Sequence, residues 1–250
     1  MSAAAAAPAK KTVVLALPGR QFSDNFVISL VQSLYALWNS NRYNVVISPA
    51  YSSFVSFSRM KTLGLNVLRG SEQKPFPNLA YDYWLTIDSD IVFTPSQIVE
   101  LLDNAEHHPV VSGLYRMTDG NFACVKDWDI EHYKKNGSFK FISPREVEEY
   151  RNTTGLKFLE VAYNGMGFMC VRREALEALS YPYFHRPLEE IHAMAQGPAG
   201  ADGTVPDPVP IVIRDMCSED VSFCKNLAEA GFPVHVNLGL VVGHEKPIVI

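Results

Sequence analysis

In the first part of the chain, short apolar runs alternate with segments whose apolar residues recur at helical spacing. The runs at residues 12–17 and 43–48 predict two strands, of which the first is buried on both faces. Between them, Ser23 is placed to cap a helix that carries an apolar stripe. A third run begins at Tyr83 and is followed by a Thr-Pro pair at residues 94–95, which is typical of a helix start. This alternation predicts an α/β fold with a mostly parallel, Rossmann-like sheet and helices on both faces.

The same pattern predicts several shorter elements. In the first part of the chain these are a helix at residues 54–63 and a strand at residues 66–69. The remainder is more mixed, with predicted strands at 109–115, 122–125, 139–142 and 156–162, helices at 173–179 and 219–230, and a last extended segment at 234–242. Residues 196–210 are rich in glycine and proline and predict a long loop. The alanine-rich residues 1–11 predict a disordered tail.

Composition narrows the class of protein. The chain has 250 residues, 47% hydrophobic and 20% charged, which is enough to bury a sizeable core. A formal net charge of -5 without a basic stripe argues against a nucleic-acid partner. No apolar run approaches the ~18 residues needed to cross a bilayer, so no membrane span is predicted. The four cysteines form no CxxC pair, which predicts buried free thiols and a soluble protein of the reducing cytoplasm.

Two carboxylates stand directly after the apolar run that begins at Tyr83. Asp88 and Asp90 are separated by one residue, and residues i and i+2 of an extended chain point the same way. Two converging carboxylates are costly unless a cation lies between them. Because ligands of open α/β sheets bind beyond the carboxyl ends of the strands, the pair predicts a divalent-metal site for a phosphorylated ligand. The alternative is a pair of turn or cap carboxylates, which is common for an isolated Asp-x-Asp.

Three further segments carry groups that could take part in chemistry. Glu219 and Asp220 stand at a predicted helix start, where acids are also favoured by the helix dipole alone. His244 follows an apolar strand and a glycine, and a neutral imidazole is a good Mn²⁺ ligand, although a lone histidine there is commonly structural. Gly165 and Gly167 flank one residue, which predicts either a bulge or a place where a ligand lies against bare backbone.

Taken in order, these segments resemble the GT-A-fold glycosyltransferases of the DxD type, which use nucleotide sugars. They correspond to the family's first strand end, metal motif, glycine-bearing strand, acidic helix start and late histidine. The segments are, in chain order, Leu17-Pro18-Gly19-Arg20, Ile87-Asp88-Ser89-Asp90, Gly165-Met166-Gly167-Phe168, Ser218-Glu219-Asp220 and Gly243-His244. The likeness covers nearly the whole chain, and small soluble enzymes of this type in large algal viruses are similar in size.

The resemblance implies a GT-A fold and one domain at residues 12–250. Residues 12–115 would form the nucleotide-binding half, and residues 116–250 would form a mixed half that holds the acceptor and the catalytic acid. The metal, Mn²⁺ or Mg²⁺, would be bound by Asp88, Asp90 and His244. Contacts to the donor are implied for Pro18, Arg20, Arg59, Asp88, Gly165 and Gly167.

A reaction is implied as well. Asp220 would be the general base that deprotonates an acceptor hydroxyl, with Glu219 as second choice, because a sugar hydroxyl is a poor nucleophile until its proton is removed. The donor would be a nucleotide-diphosphate sugar, by default a UDP-sugar, and the acceptor a glycan or another hydroxyl compound. A carboxylate base suggests inversion at the anomeric carbon, and the absence of the acceptor signature of processive synthases suggests non-processive transfer.

Two other classes of function compete with this interpretation. A metal-dependent sugar-phosphate nucleotidyltransferase shares the α/β half and the metal, but it would need a glycine-rich, basic loop after the first strand. The segment Pro18-Gly19-Arg20 is too spare for such a loop. A non-catalytic nucleotide- or carbohydrate-binding module would have no need of every acid and the histidine.

Overall fold

The computed structural model describes residues 9–198, 205–215 and 217–246, in which strands and helices alternate over the first part of the chain. The strands are β1 (Lys11–Pro18), β2 (Tyr43–Ala50), β3 (Tyr83–Ile87), β4 (Ile91–Val92), β5 (Val110–Leu114), β6 (Cys124–Val125), β7 (Phe158–Val161), β8 (Tyr163–Asn164), β9 (Phe168–Arg172), β10 (Glu189–Ala195), β11 (Val209–Asp215), β12 (Val234–Val241) and β13 (Gly243–His244). The α-helices are α1 (Asp24–Asn39), α2 (Val55–Thr62), α3 (Pro95–Ala105), α4 (Ile130–Asn136), α5 (Pro144–Thr154), α6 (Arg173–Ala178) and α7 (Glu219–Glu229).

Seven strands form the central sheet in the order β2-β1-β3-β9-β5-β12-β7. β2, β1, β3, β5 and β12 run in one direction, and β9 and β7 run against them. Helices cover both faces: α1 and α3 pack on the face that holds Leu15 and Leu85, and α6 and α7 on the face that holds Trp84. The predicted α/β fold with a mostly parallel sheet is therefore confirmed.

The carboxyl ends of four parallel strands meet at one edge of this sheet. β1 ends at Pro18, β3 at Ile87, β5 at Leu114 and β12 at Val241. Each of these strands is followed by a segment that leaves the sheet at this edge. Segments far apart in the sequence therefore come together here, as the ligand-binding rule for open α/β sheets requires.

The helix starts agree with the sequence signals. Ser23 caps α1 by accepting a hydrogen bond from the Phe26 N–H. Thr94 and Gln97 form a reciprocal capping box at the start of α3, with Pro95 in the first turn. The helices α2, α6 and α7 match their predicted limits to within one residue. Side-chain capping accounts for the starts of α1 and α3, whereas α2, α6 and α7 begin without a side-chain cap.

Three of the predicted local structures are wrong. Residues 66–69 contain a 3-10 turn rather than a strand, because the Asn66 side chain accepts a hydrogen bond from the Leu68 N–H and stops extended pairing. Residues 139–142 form no strand; the Phe139 ring packs on Trp128, with centroids 5.4 Å apart. β1 begins at Lys11, so the predicted tail is one residue too long, and its residues 1–8 lie outside the described part of the chain.

A β-hairpin, which the sequence pattern missed, borders the predicted loop at residues 196–210. β10 and β11 pair antiparallel, and β11 already begins at Val209, inside the predicted loop. Residues 199–204 of that loop lie outside the described residues. None of the helices formed by the described residues combines the length and the apolar character that a bilayer crossing demands.

Candidate active site

The segment Asp88-Ser89-Asp90 lies at the carboxyl end of β3, where the chain turns. The Ile91 N–H donates to the Asp88 carbonyl oxygen at 3.1 Å, which closes a turn over residues 88–91. Extended geometry therefore ends before Ser89, and the expectation that both carboxylates point the same way is wrong. Asp88 faces Arg59, whereas Asp90 faces His244.

Arg59, which α2 places beneath this turn, is the counter-ion of Asp88. Its Nη1 donates to Asp88 Oδ1 at 2.9 Å and its Nη2 donates to Asp88 Oδ2 at 3.1 Å, a bidentate pair. Its Nε lies 3.8 Å from Glu219 Oε1, and only 4% of the Arg59 side chain is exposed. Arg59 therefore acts through the acids that it binds, rather than as the free phosphate contact that the sequence suggested.

The charges in this cluster shift one another's ionisation. Burial lowers the pKa of Arg59, but the adjacent Asp88 carboxylate more than offsets this, so the pKa is raised overall and the guanidinium stays charged. Burial raises the pKa of Glu219, and the neighbouring Asp220 raises it further, while Arg59 opposes both. The charged form of Glu219 is therefore less favourable in this site than that of a glutamate in water.

His244 is brought to Asp90 by backbone pairing, because β13 pairs antiparallel with β4 and sets His244 opposite Ile91. The His244 Nδ1–H donates to the Arg116 carbonyl oxygen at 2.6 Å, which fixes the tautomer. Its Nε2 lies 3.2 Å from Asp90 Oδ2. In metal-binding histidines one ring N–H commonly donates to a backbone carbonyl, as Nδ1 does here, which leaves the other nitrogen for the metal.

Lys246 occupies the same corner of the site. Its Nζ donates to Asp90 Oδ2 at 2.7 Å, the oxygen that also faces His244. The chain is anchored there by Glu245, whose N–H donates to the Asp90 carbonyl oxygen at 2.8 Å. The Glu245 carboxylate in turn accepts a hydrogen bond from Asn25 Nδ2 at 2.6 Å, at the start of α1. The Asp90 carboxylate, which a metal ion would need as a ligand, is therefore already paired with the Lys246 ammonium group.

The acids of α7 divide between two sides of the site. Asp220 Oδ2 accepts a hydrogen bond from the Tyr163 hydroxyl at 2.7 Å, and its Oδ1 accepts one from the Ser218 hydroxyl at 2.5 Å. Because the Ser218 hydroxyl donates to Asp220, its side chain does not cap α7. Burial raises the pKa of Tyr163, and the charge of Asp220 raises it further, so the phenol remains a hydrogen-bond donor. Asp220 thus belongs to the Tyr163 side, and Glu219 to the Arg59 side.

Gly165 and Gly167 leave room for the ring of Tyr115. A Cβ on Gly165 would come 2.0 Å from the Tyr115 Oη, and one on Gly167 would come 2.8 Å from its Cε1. The close approach expected at these glycines is made here by the Tyr115 side chain, and the donor contact implied for them stays a prediction. The ring of Tyr115 also meets that of His244, with centroids 4.9 Å apart and an interplanar angle of 71°. Tyr115 thus fixes the height of His244 above the sheet.

Replacing Gly165 with alanine is expected to destabilise the fold by about 1 to 3 kcal/mol, the usual cost of overpacking a core. Tyr115→Phe in the same background removes the clashing oxygen and should recover most of that loss. Gly239→Ala is the matched control: the new Cβ would lie 3.5 Å from Asn237 Oδ1, and a change within about 0.5 kcal/mol is expected. Urea denaturation measures all three, and equal stability of the Gly165 and Gly239 variants would contradict the packing argument.

The end of β1 lies directly against the Asp88-Ser89-Asp90 turn. A Cβ on Gly19 would approach the Ser89 Cβ to 3.0 Å, and the Gly19 N–H donates to the Ala50 carbonyl oxygen at 2.9 Å. Pro18 is buried, whereas Arg20 is exposed and its guanidinium carbon stands 5.7 Å from the centre of the Tyr51 ring. Of these residues, Arg20 has the charge and the exposure to meet an anionic ligand.

The donor set at this edge fits a divalent cation. Four carboxylates face two permanent cations, which leaves an excess of negative charge: Asp88, Asp90, Glu219 and Asp220 against Arg59 and Lys246. The 3.2 Å between Asp90 Oδ2 and His244 Nε2 is close to the ~3 Å between adjacent ligands of an octahedral ion. Among the described residues, however, no three His, Cys, Asp or Glu side chains are grouped to hold a metal. The geometry is therefore compatible with two protein ligands for a metal, Asp90 and His244. Both oxygens of the Asp88 carboxylate are bound by Arg59.

Two residues of the site escaped the sequence analysis, namely Tyr115 and Lys246. Lys246 could have been found by the rule that residues i and i+2 of an extended chain point the same way, because it follows His244 at i+2. Tyr115 stands directly after β5, at the same sheet edge as Asp88. Tyr163 carries no sequence signal for its contact with Asp220.

Comparisons with known proteins find likeness in structure but none in sequence. No family model matches this chain, and no curated protein matches it in sequence. A197 from STIV has a TM-score of 0.44 at 17% identity, with 96% of each chain covered. Glucosyl-3-phosphoglycerate synthase from Mycobacterium tuberculosis, solved with Mn²⁺, UDP and phosphoglyceric acid, has a TM-score of 0.41 at 14% identity, covering 96% of this chain and 72% of its own.

GalNAc-T7, solved with UDP, GalNAc and Mn²⁺, has a TM-score of 0.46 at 8% identity. The match covers 95% of this chain but only 43% of GalNAc-T7, so this chain spans less than half of that protein. At these TM-scores and identities the likenesses do not establish an activity, a substrate or a metal. The case for a function rests on the site itself.

Proposed function

We propose that this protein is a metal-dependent glycosyltransferase of the GT-A type. It moves a sugar from a nucleotide-diphosphate sugar, by default a UDP-sugar, to an acceptor hydroxyl. The observation that carries the proposal is the convergence, at one sheet edge, of the Asp90–His244 pair and the neighbouring Asp88, which shares Arg59 with the α7 acid Glu219. Residues 12–115 form the nucleotide-binding half in this proposal. Residues 116–250 serve the acceptor and the proton transfer, and they also contribute His244 and Lys246 to the donor side.

The donor side is the corner formed by Asp90, His244 and Lys246. Asp90 and His244 hold Mn²⁺ or Mg²⁺, and Arg20 is placed to meet the nucleotide. When bound, the divalent ion offsets the charge that develops on the leaving diphosphate. Lys246 then exchanges its contact with Asp90 for one with a phosphate oxygen, because both are anionic oxygens within its reach.

The acceptor side is the corner formed by Asp220 and Tyr163. The Asp220 carboxylate takes the proton of the acceptor hydroxyl while that oxygen bonds to the anomeric carbon and the bond from this carbon to the diphosphate oxygen breaks. Direct displacement inverts the anomeric configuration. Asp220 is preferred to Glu219 because Glu219 is bound to the Arg59 side, next to Asp88. The Tyr163 hydroxyl donates to Asp220 and orients its carboxylate.

Asp220→Asn is expected to lower turnover by about 10²- to 10⁴-fold, the usual contribution of a general base, with little change in donor binding. Glu219→Gln, the matched control, should lower turnover by less than about tenfold, because the amide keeps the shape of the side chain beside Arg59. Turnover is measured as nucleoside diphosphate released in the presence of acceptor, and donor binding by thermal shift. A larger loss in Glu219→Gln would transfer the role of base to Glu219, and a product of retained anomeric configuration would rule out direct displacement.

One assay separates the three classes of function. The protein is incubated with Mn²⁺ and a panel of nucleotide sugars, with and without EDTA. A glycosyltransferase releases a nucleoside diphosphate and transfers or hydrolyses the sugar, and EDTA stops it. In a parallel incubation with a nucleoside triphosphate and a sugar phosphate in place of the nucleotide sugar, a nucleotidyltransferase releases pyrophosphate and forms the nucleotide sugar. A binding module shows a thermal shift with the nucleotide but releases no sugar.

A further inference from the structure

Helix α1 is apolar on the side that faces solvent as well as on the side that faces the sheet. Its inner face is buried through residues such as Phe26, Leu34 and Leu37. Its outer face carries a stripe of five exposed apolar side chains: Val27 (47% exposed), Ile28 (53%), Val31 (59%), Tyr35 (70%) and Trp38 (57%). A helix that is hydrophobic all round is normally a buried helix. The outer stripe of α1 is therefore left uncovered by the described residues of the chain.

We propose that this stripe is the contact surface of a homodimer, in which α1 packs antiparallel against α1 of a second copy. In a dimer with a two-fold axis the same surface patch of each copy forms the interface, so the patch must be complementary to itself when it is rotated by 180°. Ile28, Val31, Tyr35 and Trp38 follow the alternating three- and four-residue spacing of a coiled-coil seam. An axis at Ser33 sets Val31 against Tyr35 of the second copy, and Ile28 against its Trp38. Small and large side chains thus face each other along the seam.

The one charge on α1 fits the same antiparallel arrangement. Asp24 is the sole charged residue of α1, and it lies at the helix start. An antiparallel pair with its axis at Ser33 keeps the Asp24 carboxylates of the two copies at opposite ends of the seam. A parallel arrangement would instead set Asp24 against Asp24.

The size and the chemistry of the stripe favour a second copy over a lipid surface. The five side chains expose roughly 500 Å² per copy, so about 1,000 Å² is buried between two copies, which reaches the size of a specific interface. Helices that lie on membranes carry Lys or Arg on their polar face. α1 has neither, and its remaining exposed polar residues are uncharged amides at Asn25, Gln32 and Asn39.

Sedimentation velocity of the full chain tests the proposal. The wild-type protein should sediment at about twice its chain mass of 27.9 kDa at tens of micromolar. Val31→Glu with Tyr35→Glu places like charges against each other across the seam and should give a folded monomer, since both side chains are exposed in the single chain and only the stabilisation by dimerisation is lost. Leu68→Glu is the matched control: Leu68 is 89% exposed but lies outside α1, and this variant should remain a dimer.

A second variant tests the antiparallel register. Val31→Glu with Tyr35→Lys sets opposite charges together across an axis at Ser33, so it should dimerise at least tenfold more tightly than the Glu–Glu variant. In a parallel pair it would set like charges together and stay monomeric, which would overturn the register. A monomeric wild type, or a dimer that survives the Glu–Glu change, would overturn the proposal. A monomeric wild type that also floats with phosphatidylcholine–phosphatidylserine vesicles would assign the stripe to a membrane instead.

Discussion

Asp90→Asn is expected to abolish metal-dependent sugar transfer, with turnover lowered by more than about 10³-fold. The amide keeps the size of the side chain but loses the negative charge that the cation requires. The charge cannot be supplied by Asp88, because Arg59 binds both oxygens of that carboxylate. The measurement is nucleoside diphosphate release with saturating donor and acceptor at a series of Mn²⁺ concentrations.

The control for this change is Asp103→Asn, which removes a carboxylate that is half-exposed and paired with Arg42. Turnover in that variant should equal the wild-type value. His244→Gln should fall between the two, with a higher Mn²⁺ requirement, because one neutral ligand is lost while the charge of Asp90 remains. Full EDTA-sensitive turnover in Asp90→Asn would refute the assignment of Asp90 as the metal ligand.

The sequence predicted the elements that depend on local chemistry. The apolar runs gave β1, β2 and β3, and capping residues such as Ser23 and Thr94 fixed the helix starts, because these signals act within a few residues of the chain. The alternation of strand and helix then placed Asp88 and Asp90 at the carboxyl edge of the sheet. The position of the candidate site could therefore be predicted before any contact was known.

The partners within the site could not be predicted in the same way, because they are tertiary. Arg59 meets Asp88 and Glu219 across 29 and 160 positions of sequence, and nothing local to Arg59 signals either contact. The different directions of Asp88 and Asp90 depend on a single turn hydrogen bond to the Asp88 carbonyl. Likewise, Gly165 reads as a ligand contact until Tyr115 is seen to fill the space above it. A motif thus locates a site, whereas the pairing of its charges is decided by packing.

The pairing of Arg59 makes it the residue whose loss should cost the fold most. Arg59→Met keeps the length of the side chain but leaves Asp88 and Glu219 without their counter-ion, and breaking a buried pair in this way costs about 3 to 5 kcal/mol. In a domain of this size that is a fall in Tm of roughly 10 °C. Arg42→Met removes a guanidinium from a half-exposed pair and should cost no more than about 1 kcal/mol. Urea denaturation at pH 7 compares the two variants.

The pH dependence of this loss follows from the acids that Arg59 leaves behind. Burial raises the folded-state pKa of Glu219 and Arg59 opposes that rise, so without the guanidinium this pKa lies further above its unfolded value. Acids with raised folded-state pKa values destabilise the fold once they are ionised, so stability returns as pH falls through those values. Arg59→Met should therefore be closer to wild type at pH 5 than at pH 7, and adding Asp88→Asn should recover part of the loss at pH 7. A loss that is equal at both pH values would show that Arg59 stabilises the fold by packing, and Asp88 would then be free to turn toward the metal.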